Sequence, residues 1–141
     1  MQERTGTTNA ERVRTAFAGW EQGDSRPFFA LVSPSVTWRV IGSTALSGTY
    51  HDKATFLTTA GRLFGRLAGP IMAEVVAVHD VGDTVVLQWH GRSRGVNGRP
   101  YEQDYCWVLR FGESDGGRGD AEIVDVVAYL DTALIDDMFA D

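Results

Sequence analysis

The sequence predicts an α+β fold, a conical barrel in which a curved, mostly antiparallel sheet wraps around N-terminal helices. The N-terminal part of the 141-residue chain shows helical apolar spacing, whereas residues 71–130 alternate between apolar and polar positions as strands do. Short turns join these later segments, and strands joined by short turns run antiparallel. The chain also has 4 Trp, 4 Tyr and 7 Phe, enough rings to line a cavity between the sheet and the helices.

The composition excludes several classes of protein. The net charge is −6, the basic residues are scattered and Lys53 is the only lysine, which argues against binding to nucleic acid or an anionic membrane. Cys106 is the only cysteine, so an intramolecular disulfide and a thiolate metal cluster are excluded. No signal peptide or membrane span is visible, and we therefore expect a cytoplasmic location by default. We expect residues 1–8 to be a disordered lead-in and residues 9–141 to form a single domain.

The first predicted helix begins at a capping residue, Asn9, and runs to about Gln22. Val13, Phe17 and Trp20 follow one another at i, i+4 and i+7, which places them on one apolar stripe. This stripe predicts the face that packs against the sheet.

A short second helix and the first strand come next. Asp24 or Ser25 is a suitable cap for a helix that extends to about residue 32, with a proline in its first turn. Residues 33–35 (Ser-Pro-Ser) predict a turn. Residues 36–41 (Val-Thr-Trp-Arg-Val-Ile) predict a strand because they are rich in β-branched and aromatic residues.

The third predicted helix begins after Asp52, a good capping residue, and stops at Gly69 and Pro70. Its apolar face consists of Phe56, Ala60, Leu63, Phe64 and Leu67.

Four strands and a last helix complete the prediction. The strands cover about residues 71–80, 84–94, 100–111 and 122–130. Asn97 and Gly98 predict a tight hairpin between the second and third of them. Residues 113–120 predict a flexible hairpin tip, and Asp131 a cap for a helix over residues 132–140.

Several short motifs, taken in their order and spacing, resemble a known family. They are Gly23-Asp24, Val36-Thr37-Trp38, Gly42, Ser47-Gly48-Thr49-Tyr50, residues 105–111, Glu122-Ile123-Val124 and Tyr129-Leu130-Asp131. In these motifs the chain resembles the SnoaL-like branch of the nuclear transport factor 2-like superfamily, to which the ketosteroid isomerase-like proteins belong. The resemblance implies a conical fold around a small-molecule pocket and a homodimer formed through the outer sheet face. We place Trp89 or its neighbours in that dimer contact.

The same resemblance implies no particular reaction, because the family includes isomerases, polyketide cyclases, epoxide hydrolases and non-catalytic binding domains. The positions that match the tyrosine, the base and the protonated acid of ketosteroid isomerases are Ala16, Arg39 and Trp107. The positions that match the arginine and two aspartates of limonene epoxide hydrolases are His90, Arg92 and Ala128. Neither set of catalytic groups is therefore retained. Cyclase chemistry, which needs only one acid/base group, stays open.

His90 and Asp104 are the candidate catalytic residues. A histidine beside polar strand residues can act as a general base near neutral pH, but it can also face solvent or a dimer partner. Asp104 can serve the same chemistry, or it can form a cross-strand pair with Arg92 or Arg94. Both alternatives remain open at this point.

The candidate substrate-binding residues are Trp38, Arg39, Tyr50, Tyr105 and Trp107. No histidine has metal-ligand spacing and no phosphate-binding loop is visible, so we expect neither a metal nor a cofactor. The first hypothesis is a cofactor-independent enzyme that moves a proton on a small hydrophobic or aromatic ligand. The alternative is a non-catalytic ligand-binding or dimeric assembly module.

Overall fold

A computed structural model describes residues 8–113 and 120–140, which form four helices and one six-stranded sheet. The elements in chain order are α1 (Asn9–Trp20), α2 (Arg26–Phe29), β1 (Val32–Val40), β2 (Gly48–Tyr50), α3 (Lys53–Phe64), β3 (Met72–Val81), β4 (Thr84–Arg94), β5 (Pro100–Gly112), β6 (Glu122–Leu130) and α4 (Thr132–Phe139).

The strand order in the sheet is β2-β1-β6-β5-β4-β3. All neighbouring strands are antiparallel except β1 and β6, which are parallel. Helix α1 packs on β3, and α3 packs on β1 and β2. The predicted α+β fold, with a curved and mostly antiparallel sheet around the helices, is confirmed. The sheet does not close into a barrel, because β2 and β3 remain its edges.

The first helix begins one residue earlier than predicted. Thr8, not Asn9, is its cap: the Thr8 hydroxyl accepts from the Glu11 amide at 3.1 Å, and the Glu11 carboxylate accepts from the Thr8 amide at 2.8 Å. A reciprocal pair of this kind satisfies two amide donors that the helix itself leaves open. The helix ends at Trp20 instead of Gln22. The rest of the predicted lead-in, residues 1–7, lies outside the described residues.

The region around Pro34 was predicted wrongly. Helix α2 ends at Phe29, and β1 already begins at Val32, so the expected turn at residues 33–35 lies inside a strand. The pairing of β1 with β6 shifts register between Val32 and Thr37. Pro34 has no amide proton for the ladder, so a break in pairing is expected there. Strand β2 was also missed, because three residues are too few to show a period.

Most later boundaries agree with the prediction. Asp52 caps α3 by accepting from the Thr55 amide at 2.6 Å, and Asp131 caps α4 by accepting from the Ala133 amide at 3.1 Å. Strands β3 to β6 lie within one residue of their expected bounds. Helix α3, however, ends at Phe64, well before Gly69. Six of the residues in the predicted hairpin tip, 114–119, lie outside the described part of the chain.

One buried polar side chain ties the sheet to the last helix. Gln103, on β5, is fully buried, and its amide nitrogen donates to the Asp131 carbonyl at 3.0 Å. Its amide oxygen accepts from the Asp131 backbone amide at 2.7 Å. The backbone carbonyl and the backbone amide of Asp131, at the start of α4, therefore both have Gln103 as their partner.

Replacing Gln103→Met should lower the free energy of unfolding by about 2–3 kcal/mol, because two buried backbone groups lose their partner while the side-chain volume is nearly kept. Urea denaturation measures the change. The matched control is Gln88→Met, at an exposed position on β4, where the amide oxygen lies 3.1 Å from the Nε2 atom of the His79 ring. We expect the control to change stability by less than about 0.5 kcal/mol. Equal effects of the two substitutions would contradict the role given to Gln103.

Candidate functional site

A pocket lies between the concave face of the sheet and helices α1 to α3. It holds about 590 Å³ of space free of protein atoms, counting its open mouth. Eight of the 16 lining residues are aromatic, namely Trp20, Phe29, Trp38, Phe56, Phe64, Trp89, Tyr105 and Trp107. The others are aliphatic, apart from Thr59.

Three of the predicted substrate-binding residues line this pocket. Trp38 points inward from β1, and Tyr105 and Trp107 point inward from β5. All three are buried, because strand alternation directs these positions to the concave face. Whether they contact a ligand stays a prediction.

The rings of the pocket wall are packed in two orientations. Trp38 stacks on Phe56 with ring centroids 4.0 Å apart, and Trp89 stacks on Tyr105 at 4.1 Å. Trp107 lies between these two stacks and is nearly perpendicular to both tryptophans, at 82° to Trp38 and 80° to Trp89. Offset stacks and edge-to-face contacts are the favourable arrangements for aromatic pairs. The wall is therefore well packed although the pocket beside it is open.

The polar atoms of the pocket wall are few, and three of them are unpaired. The indole nitrogens of Trp38, Trp89 and Trp107 are buried and have no hydrogen-bond partner among the described residues. A buried donor without a partner costs about 1–3 kcal/mol. Among the lining side chains of the described chain there is no Asp, Glu, His, Lys, Arg or Cys.

Among the described residues that line the pocket, Tyr105 alone has a titratable side chain. Its hydroxyl lies 2.6 Å from the hydroxyl of Tyr101, which is buried behind it on the same strand. Burial raises the pKa of Tyr101 to about 12 and raises the pKa of Tyr105 well above its ordinary value. Both phenols are therefore protonated at neutral pH, and neither is a base there.

Tyr50 does not line the pocket but positions a residue that does. Its hydroxyl donates to the carbonyl of Leu46 at 2.6 Å, and its ring packs edge-on against Phe56. Leu46 belongs to the pocket wall, on the loop between β1 and β2. Tyr50 thus holds this loop in place, and its hydroxyl proton is already donated to the Leu46 carbonyl.

Arg39 lies on the other side of the sheet from the pocket. It is exposed, next to Thr49 of β2 and Val127 of β6, because the buried Trp38 and Val40 on either side of it face inward. Within the described chain Arg39 forms no ion pair.

His90 and Asp104 contact each other on the outer face of the sheet. The Nδ1 atom of His90 lies 2.8 Å from an Asp104 carboxylate oxygen, and its Nε2 atom lies 3.0 Å from an oxygen of Glu102. Neither residue lines the pocket, because alternation directs their neighbours Trp89 and Tyr105 inward. Of the predicted dimer contact, Trp89 or its neighbours, Trp89 itself is wrong because it is only 1% exposed and lies inside, whereas its neighbour His90 lies on the outer face.

The charges around His90 favour its protonated ring. A carboxylate only accepts hydrogen bonds, so both ring nitrogens can donate only in the imidazolium form. The hydrogen bond to Asp104 raises the pKa of His90 above its ordinary value, partial burial opposes that shift, and Glu102 adds to it. The Nε atom of Arg92 lies 3.6 Å from a carboxylate oxygen of Glu102. Glu74, on the neighbouring strand β3, pairs directly with His90 in the sheet. The hydrogen bond from His90 lowers the pKa of Glu102.

The described residues contain no group of three His, Cys, Asp or Glu side chains arranged to hold a metal ion. No helix in that part of the chain is long and apolar enough to cross a membrane.

Sequence reasoning missed most of the pocket wall. The missed aromatic residues are Trp20, Phe29, Phe56, Phe64 and Trp89. The apolar faces of the first and third helices contained three of them, but helical spacing does not distinguish a residue that fills the core from one that borders a cavity. For Trp89 a signal existed in the hairpin between β4 and β5.

The His90 cluster should make stability depend on pH in a defined direction. Because the pKa of His90 is raised on folding, its contribution is complete below about pH 6.5 and is lost as pH rises through the folded-state pKa. Glu102 also stabilises the fold, but with the opposite pH dependence: because its pKa is lowered on folding, its contribution is lost as pH falls below about 4.5. Replacing His90→Gln should therefore lower the unfolding free energy more at about pH 5.5 than at about pH 9.

Urea denaturation at the two pH values measures this difference. In an Asp104→Asn background the pH dependence of the His90→Gln effect should shrink, because the main partner is gone. An effect of His90→Gln that is the same at both pH values would contradict the assignment of an imidazolium between two carboxylates.

Comparison with known proteins places the chain in a structural context. An NTF2-like protein of unknown function from Burkholderia pseudomallei K96243 has a TM-score of 0.74 and 19% identity, covering 96% of this chain and 100% of that chain. TerC, co-crystallised with polyporic acid, has a TM-score of 0.70 and 18% identity over 92% and 96%. A ketosteroid isomerase-like protein from Catenulispora acidiphila DSM 44928, in complex with trimethylamine, has a TM-score of 0.65 and 15% identity over 92% and 91%.

At such identities these structures are informative about the fold alone, and they support the NTF2-like architecture. None of the curated proteins matches the chain. Residues 13–118, by contrast, match the family model described as a SnoaL-like domain. Since that match covers most of the sequence and the fold agrees with it, the chain belongs to the SnoaL-like domain family.

Proposed function

We propose that the protein binds a small, mostly apolar molecule of aromatic character in the pocket, and that the pocket serves binding and not proton transfer. The observation that carries this proposal is the pocket wall: eight aromatic rings among 16 residues and no ionised side chain among the described ones. Such a wall gains free energy from burying apolar surface, at about 25 cal/mol per Å². Among the described lining side chains there is no base that removes a proton at neutral pH.

Two relatives of the same fold are consistent with small-molecule binding. TerC was co-crystallised with polyporic acid, and the protein from Catenulispora acidiphila was solved in complex with trimethylamine. These ligands are properties of those proteins. For the present chain they support the proposal that a pocket of this fold admits small molecules. The side chains of the pocket wall then determine which kind of molecule it admits.

The enzymatic alternative keeps His90 and Asp104 as its predicted catalytic residues. Both side chains lie on the outer face, so a substrate that they act on would have to bind there. A reaction inside the pocket would have the Tyr105 hydroxyl as its one acid/base group among the described residues. Because burial raises the pKa of Tyr105 well above the ordinary value, a base is missing. Binding without chemistry is therefore the better supported function.

A substitution that fills the pocket tests this proposal. Fluorene, a planar hydrocarbon, should bind the protein saturably, and Ala60→Phe should weaken its affinity at least about tenfold because the new ring occupies the ligand's space. Calorimetry or tryptophan fluorescence measures the affinity. The matched control is Ala54→Phe, on the same helix but exposed, which should leave the affinity unchanged. Should Ala60→Phe fail to fold, Thr59→Phe fills the same pocket from a half-buried position.

A second variant separates the two faces of the sheet. The double substitution of His90→Ala and Asp104→Asn should leave fluorene binding within about twofold of the wild type, because neither side chain lines the pocket. Absence of saturable fluorene binding to the wild type, or equal weakening by both alanine-to-phenylalanine variants, would refute the pocket as the binding site.

We further propose that the outer face of the sheet forms a homodimer, as the family resemblance implies. Val86, Val108 and Val127 face one another across β4, β5 and β6 and form a half-buried apolar row. A two-fold axis through Val108 would bury this row of one copy against the same row of the other.

Sedimentation at micromolar concentration should show a species of twice the 15.5 kDa chain mass. Val108→Glu should convert it to the monomer, because the new carboxylate would be buried at the centre of the contact. The control is Val96→Glu, in the turn between β4 and β5 and 67% exposed, which should leave the dimer intact. A wild-type protein that is only monomeric would contradict this contact.

A further inference from the structure

One residue marks the place where the pocket meets solvent. Of the 16 described lining residues, Phe64 alone is exposed, at 39%, whereas all the others are buried or half-buried. The other lining rings pack against one another, but Phe64 has no ring contact within the described chain. The path from solvent into the pocket therefore leads past a ring that no other described ring holds in place.

Phe64 has two small residues beneath it on α3. Side chains on a helix point toward its N-terminus and cover the residues three and four positions earlier, which for Phe64 are Gly61 and Ala60. Ala60 is buried and lines the pocket, whereas Gly61 is exposed. The ring of Phe64 therefore stands between the pocket and a bare part of the helix surface.

The fold does not require a glycine at position 61. The φ angle of Gly61 is not positive, and a Cβ atom placed on it would have no neighbouring atom within 4 Å. Glycine inside a helix destabilises it relative to alanine, because glycine loses more backbone freedom on folding. Neither close packing nor backbone conformation explains Gly61, and what it provides is free surface beside Phe64.

We propose that Phe64 is the gate of the pocket: its ring covers the mouth in one rotamer and turns over Gly61 in another, which opens the path for a ligand. The proposal rests on the function proposed above and adds the step by which the ligand enters. Exposed side chains change rotamer within nanoseconds, and the Phe64 ring has no described stack to break. The rate of ligand entry then depends on the fraction of molecules whose gate is open.

A gate and a wall have different effects on binding kinetics. A wall residue contacts the bound ligand, so its loss accelerates dissociation alone. A gate limits passage in both directions, so a change in the open fraction alters the association and dissociation rate constants by the same factor. Their ratio, the Kd, then stays unchanged. The association rate constant is therefore the measurement that distinguishes the two roles.

Filling the surface above Gly61 tests the gate. Gly61→Leu should lower both rate constants for fluorene about tenfold, because the new side chain occupies the space over which the ring turns. The matched control is Thr58→Leu, at an exposed position of the same helix that Phe64 does not cover. It should leave both rate constants within about twofold of the wild type. Stopped-flow tryptophan fluorescence measures the rates.

Removing the ring tests the gate in the opposite direction. Phe64→Ala should raise the association rate constant about tenfold, which the loss of a wall contact does not do. Leu130→Ala is the control, because Leu130 is a half-buried wall residue on β6. It should accelerate dissociation and leave association unchanged.

The two rotamers are also observable without a ligand. In the wild type, three-bond couplings across χ1 of Phe64 should be averages over two rotamers, and in Gly61→Leu they should correspond to one. If the wild type shows one rotamer, or if Gly61→Leu and Phe64→Ala leave the association rate constant unchanged, the gate is refuted while equilibrium binding of fluorene remains. If fluorene does not bind the wild type at all, the proposed function fails and the gate with it.

Discussion

Strand alternation on β4 and β5 is the constraint on which the rest of the structure depends. Because neighbouring residues point to opposite faces, Trp89, Tyr105 and Trp107 all lie on the concave side, and His90 and Asp104 all lie on the convex side. A shift of one residue in either strand would exchange the two sets. The aromatic pocket and the charged outer surface are thus two consequences of the same register, and neither could change without the other.

The indole N–H groups of the pocket wall stay unpaired because burying the rings that carry them stabilises the fold more than the unpaired groups destabilise it. A buried tryptophan removes about 150–250 Å² from water, which stabilises the fold by about 4–6 kcal/mol at about 25 cal/mol per Å². An unpaired indole N–H costs about 1–3 kcal/mol. The difference favours burial even without a ligand, so the wall can form in the free protein. A preformed site of this kind loses little conformational entropy on binding.

The sequence predicted the fold and most strand boundaries because period, caps and turns are local signals. The helix cap at Asp52 and the hairpin at Asn97 are examples, each recognisable within a few residues. The parallel pairing of β1 with β6 was not predictable in this way, since it joins segments about 90 residues apart. Pro34 misled the prediction because a proline that marks a turn can equally sit at an irregular place in a strand.

The site was predicted less well, for a reason that lies in the β4–β5 hairpin. Trp89 and Tyr105 are each eight residues from Asn97 and pair directly in the sheet. Residues that pair directly across an antiparallel ladder share a face, so placing Tyr105 inside required Trp89 to be inside as well. The predicted strand bounds, 84–94 and 100–111, therefore contained the information that assigns Trp89 to the pocket and His90 to the surface, whereas a two-residue turn at Asn97 and Gly98 would have paired Trp89 with Cys106. Helix packing does not follow from such a rule, and the contributions of Phe29 and Phe56 needed the structure.

Membership of the SnoaL-like family does not decide between catalysis and binding, because the fold carries both and the site determines the chemistry. Proton transfer needs a group whose pKa lies near the working pH and which reaches the ligand. In this chain the histidine and the pocket lie on opposite sides of one sheet: His90, whose pKa is raised by its hydrogen bond to Asp104, lies on the convex face, whereas Tyr105 reaches the pocket but stays protonated. As a β-strand cannot present one side chain to both faces, the register that builds the aromatic pocket also removes the histidine from it. The register that gives the pocket its aromatic wall is therefore also the reason that its lining among the described residues includes no base.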